Sequence, residues 1–283
     1  MTTHPTAEDR NVTVDQRLDW LGLEGRVCVV TGAGGGIGSA IAESFARAGG
    51  RVALLDRDGA ASARVAAGLP AQPANVLPLT CDVADPDSVA AAASEILRVL
   101  GPCEVLVNNA GFLKSGPLAS LPLSEWNAML AVNLTGYFTC AQVFGGQMFG
   151  HGRGSIVHVA SIAARQPQGL SGAYSVGKAG VVMLSRQLAL EWGPRGIRSN
   201  VVSPGLIRTP LSEKFYQQPG AAERRAAIVP TRRIGTPSDI ADAVLFLASD
   251  RAGYVNGDEI TVDGGFSQVL MGQIPRPGYD DGP

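Results

Sequence analysis

The sequence predicts one α/β domain in which helices cover both faces of a doubly wound parallel sheet. Three observations carry this. Short apolar runs alternate with stretches of helical spacing from residue 26 to residue 262. No linker or composition break interrupts the alternation, so its elements must share one core. A glycine-rich segment, Thr31 to Gly38, directly follows the first run, where such sheets carry their functional loops. At ~150 residues per domain, 283 residues would allow two domains, but α/β domains of ~200–250 residues are common. The unbroken alternation favours a single domain over 19–266, with a polar arm at 1–18 and a Gly- and Pro-rich tail at 267–283.

The strands read as near-continuous apolar runs, as expected for a sheet buried on both faces. They are Arg26–Thr31, Arg51–Asp56, Val76–Cys81, Glu104–Asn108, Ser155–Ala160, Ile197–Ser203 and Glu259–Val262. Between them, Ile37, Ile41 and Phe45 mark one face of a helix over Gly36–Ala48. Asp85-Pro86 opens another, with Asp85 able to cap and Pro86 in the first turn, where no N–H is needed. Long apolar helices are predicted over Ser124–Phe149 and Gly172–Trp192. Residues 206–235 read as irregular and Arg-rich. Thr236-Pro237-Ser238-Asp239 has the form of a capping box leading a helix to Ala248.

The bulk composition excludes several classes. With 23 Lys+Arg against 25 Asp+Glu, the net charge of -2 gives no broad basic field for nucleic acid or an anionic membrane. No run of ~18 strongly apolar, uncharged residues predicts a membrane span, and the first residues lack an apolar signal core, so a cytoplasmic protein is expected. Cys28, Cys81, Cys103 and Cys140 form no CxxC pair. His4, His151 and His158 form no HExxH, so no metal site is predicted.

The candidate site residues fall just after strands. In Thr31-Gly32-Ala33-Gly34-Gly35-Gly36-Ile37-Gly38, glycine lets backbone N–H groups approach a pyrophosphate, and the helix N-terminus favours its charge. Asp56 ends the second strand, where a carboxylate can accept from both hydroxyls of an adenosine ribose and repel a 2′-phosphate, selecting NAD over NADP. Arg57 beside it keeps NADP open as the alternative. A glycine-rich turn and a solvated aspartate are the plainer reading of the same residues. Tyr174 and Lys178 stand four apart on one helix face, and a nearby ammonium favours a phenolate. Only Lys114, Lys178 and Lys214 are lysines, and chance could still produce one such pair. Ser161 follows the fifth strand, where its hydroxyl could bind a substrate oxygen or simply cap a turn. Asn133 interrupts an apolar helix, where an exposed polar position is the plain reading.

Together these residues resemble the short-chain dehydrogenase/reductase superfamily over about residues 22–266. The resemblance rests on TGAGGGIG at 31–38, Asp56, Cys81-Asp82-Val83, Asn108-Asn109-Ala110-Gly111, Asn133, Ser161, Tyr174-Ser-Val-Gly-Lys178, Ser203-Pro204-Gly205 and Val262-Asp263-Gly264-Gly265. It implies a Rossmann-type seven-stranded parallel sheet and an NAD-dependent, metal-free transfer of hydride between a secondary alcohol and a ketone. It further implies that Tyr174 is the general acid/base, Ser161 orients the substrate oxygen, and Lys178 lowers the tyrosine pKa and binds the nicotinamide ribose. Asn133 would hold a water of a proton relay. Gly32, Gly34, Gly35, Gly36, Ile37 and Gly38 would cradle the cofactor phosphates. Asp82 and Val83 would contact the adenine, Asn109, Ala110 and Gly111 would line the cofactor, and Pro204, Gly205, Ile207 and Thr209 would border the nicotinamide.

For the substrate, Phe112, Ala163, Ala164, Gln168 and Leu206 of the 206–235 segment are expected to form the pocket. They are mostly apolar or small, favouring a small neutral ketone or secondary alcohol. Arg165 reads as solvated, with an acidic substrate as the alternative. Arg224-Arg225 and Arg232-Arg233 support a second reading, a 3-oxoacyl-[acyl-carrier-protein] reductase docking an acidic carrier, which Asp56 opposes because the resemblance ties such reductases to NADPH. A third reading is a non-catalytic NAD-sensing scaffold, which commonly loses the tyrosine or lysine present here. Apolar residues on several sides of the helices at 124–149 and 172–192, among them Val181, Val182, Leu184, Leu188 and Leu190, suggest a subunit interface. The resemblance makes this a homotetramer, with a dimer next.

Overall fold

The structure is a computed structural model that describes residues 19–210 and 212–274. Seven parallel strands form one sheet: β1 (Val27–Thr31), β2 (Arg51–Asp56), β3 (Val76–Thr80), β4 (Val105–Asn108), β5 (Gly154–Val159), β6 (Ile197–Pro204) and β7 (Glu259–Val262), in the order β3-β2-β1-β4-β5-β6-β7. The chain winds outward from β1 to β3, returns to β4 beside β1, and winds outward the other way to β7. Every residue of β1, β4 and β5 is buried, which is why these strands read as continuous runs rather than alternating ones.

Helices α1 (Gly36–Arg47), α2 (Gly59–Ala67), α3 (Pro86–Val99), α4 (Leu123–Leu130), α5 (Gly136–Phe149), α6 (Tyr174–Trp192), α7 (Ala221–Ala227) and α8 (Pro237–Ala248) connect the strands. One face of the sheet is covered by α1 and α8, where Ile41 and Phe45 meet Ile240 and Val244 over Val30 and Val157. The other is covered by α3 and α5, with Ile96, Phe144 and Met148 packed on Leu106 and Ile156. Each of these side chains contributes roughly 1.5–3 kcal/mol by leaving water.

The expectations for local structure need four corrections. Helix α2 was not anticipated: its Ala-rich sequence has almost no apolar period, and Asp58, whose carboxylate accepts from the Ala61 N–H, caps it instead. The helix expected over 124–149 is interrupted by a π-helical segment, Ala131–Thr135, between α4 and α5. The helix expected from Gly172 begins at Tyr174, because Gly172 holds a left-handed turn at φ 57°. Within the supposedly irregular 206–235, α7 forms a short helix. The expected arm at 1–18 lies outside the described residues. The tail is described as far as 274, where two 3-10 turns occupy Phe266–Gln268 and Leu270–Gln273; 275–283 lies outside.

Among the described residues no helix is long and apolar enough to cross a membrane, and no cluster of His, Cys, Asp or Glu could hold a metal. All four cysteines are unpaired and buried.

The capping box at α8 is present. The Asp239 carboxylate accepts from the Thr236 N–H at 2.7 Å and from both Nη atoms of Arg233 at 2.6 and 2.7 Å. These contacts, Arg233 foremost, hold Asp239 well below the usual carboxylate range. A depressed folded pKa stabilises above the unfolded value of ~3.9 and loses that contribution as pH falls. The ion pair is solvent-exposed and screened, so Asp239→Ala is expected to cost only about 1–2 kcal/mol, mostly as a lost cap. Urea denaturation at pH 7 should show that difference, and it should shrink at pH 3.

Candidate active site

Because the connections after β1 and β4 leave in opposite directions, a crevice opens between the carboxyl ends of these adjacent strands. Its two lips are fastened together. The Thr31 hydroxyl donates to the Val107 carbonyl at 3.3 Å and accepts from the N–H groups of Asn109 and Ala110 at 3.0 and 3.1 Å. In return the Asn109 amide donates to the carbonyls of Thr31 and Gly32.

The glycine segment forms one lip. Gly32 turns with φ +64°, and a Cβ there would lie 2.7 Å from the Ala110 Cα, so only glycine lets the lips approach. At Gly38 a Cβ would overlap the Gly32 carbonyl, which closes α1 onto β1. Gly35 is different. It lines the crevice in extended backbone, and a Cβ on it would meet no protein atom within 4 Å. The protein itself does not demand glycine there, whereas an anion seated on the N-terminus of α1 would. Asp56 stands at the end of β2, its carboxylate accepting from the N–H groups of Gly34 at 2.9 Å and Asp58 at 3.0 Å. Each oxygen keeps capacity for a further donor. These features fit a dinucleotide.

Opposite the glycines stand Ser161, just after β5, and Tyr174 and Lys178 on the first turns of α6. The Ser161 oxygen accepts from the Ala163 N–H at 3.1 Å, which leaves its own proton to donate elsewhere. Burial pushes the Tyr174 phenol above its ordinary value, opposed by a hydrogen bond with Ser161. Lys178 is 3 % exposed and burial brings its ammonium down to about 7. Its Nζ lies 5.8 Å from the centre of the Tyr174 ring and donates instead to Tyr137 Oη at 2.9 Å and the Val159 carbonyl at 2.8 Å. The expectation that Lys178 draws the tyrosine pKa down is therefore corrected for this arrangement: the larger effect on both groups is desolvation.

Asn133, read as a plausible exposed position, is fully buried. The π segment turns it inward, where its amide donates to the Phe112 carbonyl at 2.8 Å and accepts from the Phe112 N–H at 3.1 Å. These bonds use one N–H and one oxygen lone pair of the amide, leaving one of each.

Gly32, Gly34, Gly35, Gly36, Ile37, Asp56, Asn109, Ala110, Gly111, Ser161, Tyr174, Lys178, Pro204, Gly205, Ile207 and Thr209 all line one cleft of about 460 Å³. Arg57, Asp82, Val83 and Phe112 line an adjoining pocket of about 120 Å³ that shares Gly32, Asp56, Ala110 and Gly111 with it. Phe112 thus lines the pocket that holds Asp82, next to Gly111, which both pockets share. The other expected substrate residues are not in the cleft wall. Ala163 is buried, Ala164 packs against the Tyr137 cluster, Gln168 is exposed, and Leu206 lines a smaller pocket of about 80 Å³ with Thr231 and Arg233.

Val159, Ala160, Pro210 and Ser212 line the cleft and were missed; the first two directly precede Ser161, a usable signal. Arg165 is not free. It pairs at 2.7 Å with Glu259, whose side chain is 1 % exposed and also accepts from Ser203.

A family model described as Enoyl-(Acyl carrier protein) reductase matches residues 32–267. Among curated proteins, the chain is 40% identical over 262 residues to a D-threitol dehydrogenase of Mycolicibacterium smegmatis, covering 92% of this chain and 98% of that one. It is 38% identical to a galactitol 2-dehydrogenase (L-tagatose-forming) of Cereibacter sphaeroides, covering 87% and 96%. Among solved structures, a gluconate 5-dehydrogenase from Burkholderia cenocepacia in complex with NADP and tartrate superimposes with a TM-score of 0.83 at 30% identity, covering 90% and 100%.

Asn133→Ala would strip both Phe112 backbone groups of their partner beside the cleft. The expected loss is about 1–3 kcal/mol of unfolding free energy, read by urea denaturation, because polar groups in a part-buried place lose their bonds without full access to water.

Proposed function

The chain belongs to the short-chain dehydrogenase/reductase family of oxidoreductases, and we propose that it interconverts a secondary alcohol and a ketone using a nicotinamide dinucleotide. One observation carries this reading: Ser161, Tyr174 and Lys178 share a cleft with the glycine lip and Asp56. The cofactor, when bound, supplies the hydride acceptor or donor.

The chain's own residues handle binding and the proton. Backbone at the start of α1 receives the phosphates. Gly111, Pro204, Gly205, Ile207 and Thr209 border the nicotinamide end. Ser161, its oxygen already engaged by the Ala163 N–H, donates its proton to the substrate oxygen and fixes its position. Tyr174 takes the hydroxyl proton in oxidation and returns it in reduction. Lys178 has two of three N–H directions engaged by Tyr137 and Val159, leaving one for a ribose hydroxyl. Asn133 holds the water that continues the proton path.

We assign NAD rather than NADP from Asp56, whose free acceptor capacity suits ribose hydroxyls and repels a phosphate. The NADP held by the Burkholderia relative supports the alternative. As substrate we propose a small neutral alcohol carrying further hydroxyls, since the two curated relatives are named for threitol and galactitol. Ser161, Asn109, Thr209 and Ser212 provide polar atoms in the same cleft. With NAD, oxidation is the favoured direction.

The acyl-carrier reading keeps two supporting observations, the description of the matching family model and a 37% identity to a 3-oxoacyl-[acyl-carrier-protein] reductase of Thermotoga maritima. The arginines that suggested it are mostly engaged: Arg233 pairs with Asp239, Arg225 lies over Tyr216 at 4.9 Å, and Arg232 donates to the Ala227 carbonyl. The scaffold reading is disfavoured by the presence of Asn133, Ser161, Tyr174 and Lys178.

For assembly we propose a homotetramer, with a dimer next. Val181, Val182 and Leu188 are buried within the chain, but Val176, Met183 and Leu190 remain exposed along α6, joined by Phe138 on α5. Four buried unpaired thiols suit a reducing, cytoplasmic location.

A spectrophotometric screen of tetritols, hexitols and simple secondary alcohols with NAD and NADP tests the proposal. Tyr174→Phe is expected to lose about a hundredfold or more of kcat while still binding cofactor; near-normal turnover in that variant would sink the assignment. Asp56→Ala should lower the ratio of NAD to NADP efficiency by about tenfold or more, the loss of charge-assisted hydrogen bonds to the ribose.

A further inference from the structure

Lys178 carries a buried charge with an unusual set of neighbours. Its ammonium faces Tyr137 from α5, His158 and the Val159 carbonyl from β5, and Tyr174 from its own helix. The position of Gly111, where a Cβ would come within 3.6 Å of Nζ, and the Asn133 amide complete the surroundings. No carboxylate pairs with Lys178 among the described residues. His158 is neutral near neutrality, since burial, with the Lys178 charge beside it, brings its pKa to about 3. The charged form of Lys178 is therefore supported by two oxygen acceptors and two ring faces, with no opposite charge.

Tyr137 is one of those acceptors, and its geometry leaves it no other part. The side chain is 1 % exposed. Its hydroxyl donates to the Val159 carbonyl at 3.0 Å. A phenol has a single proton, so towards Lys178 the oxygen can only accept. Nζ, Oη and the Val159 oxygen form a closed triangle of three hydrogen bonds at 2.9, 2.8 and 3.0 Å. The ring of Tyr137 is in turn stacked on His158, with centroids 5.9 Å apart and planes 16° apart. His158 is held at both nitrogens, by Asn108 and by Ser199, and Ser199 bonds Ser185 of α6.

We propose that Tyr137 is a positioning residue for Lys178, using its hydroxyl to aim the ammonium into the cleft and to favour its charged form. This rests on the assignment of Lys178 to the cofactor ribose. Burial alone draws the ammonium towards neutrality. Removing an acceptor that binds the ammonium more strongly than the neutral amine draws it further, whereas the ring that packs beside His158 can be kept by phenylalanine.

The test is cofactor affinity against pH, read by the fluorescence of NADH, or of NADPH if that binds more tightly. Performed in the Tyr174→Phe background, it removes the second phenol of the cleft from the titration. The parent should lose affinity as pH rises through the Lys178 transition. Adding Tyr137→Phe should move that midpoint down by about one pH unit or more. The two proteins should then bind alike near pH 5 and differ about tenfold above both midpoints. A role confined to packing would lower affinity equally at every pH, and that outcome overturns the inference, as do superimposable curves. Thermal midpoints at each pH identify any variant that fails to fold; Tyr137→Met then replaces Phe, and the same midpoint shift is required. A parent that binds neither cofactor at any pH overturns the underlying function instead.

Discussion

One hydroxyl, that of Thr31, joins the two halves of the sheet at the edge where the cleft opens. The chain diverges after β1 and β4, so no covalent link sets the spacing of the glycine lip and the Asn109–Gly111 lip. Thr31 does so by meeting three backbone groups of the facing strand and loop, and Asn109 returns two more bonds. Each contributes about 1 kcal/mol, yet together they bring the backbones close enough that Gly32 cannot carry a Cβ. The position of α1, the direction of its N-terminal N–H groups and the distance across to Ser161 all follow from that spacing.

The opposite wall is organised by desolvation more than by opposed charges. Burial moves Tyr174 and Lys178 towards their neutral forms. Hydrogen bonds donated by Lys178 to the fixed oxygens of Tyr137 and Val159 favour its charged form in return. The Glu259 side chain, 1 % exposed, is engaged outside the cleft wall. It ties Arg165 of the loop after Ser161 to the edge of the sheet and takes a second bond from Ser203. That loop is therefore anchored by a contact between residues far apart in sequence.

This difference explains what was legible in the chain and what was not. Strands buried on both faces must be continuously apolar, so their order could be read directly, and with it the residues that follow each strand. Gly32 to Gly38, Asp56, Ser161 and the Tyr174–Lys178 pair were accessible for that reason. Ala163, Ala164 and Gln168 lie outside the lining of the cleft, on a path set by the Ser161–Ala163 turn and the Arg165–Glu259 tie, neither of which leaves a periodic trace. Helix α2 escaped because alanine marks no face. Tyr137 escaped because its partner lies on another helix, and the burial of Asn133 escaped because apolar spacing does not distinguish a π segment from ordinary helix.

That segment makes chain length itself part of the site. A π turn accommodates one residue beyond the α-helical count. Deleting one residue of this segment other than Asn133 would let an ordinary helix run through with α4 and α5 kept in phase, so Tyr137 would still face Val159 and Phe144 and Met148 would still face the sheet. The same deletion inside α5 would turn everything after it by about 100° about the helix axis. What the additional residue supplies is therefore local, the inward turn that brings the Asn133 amide onto the backbone of Phe112.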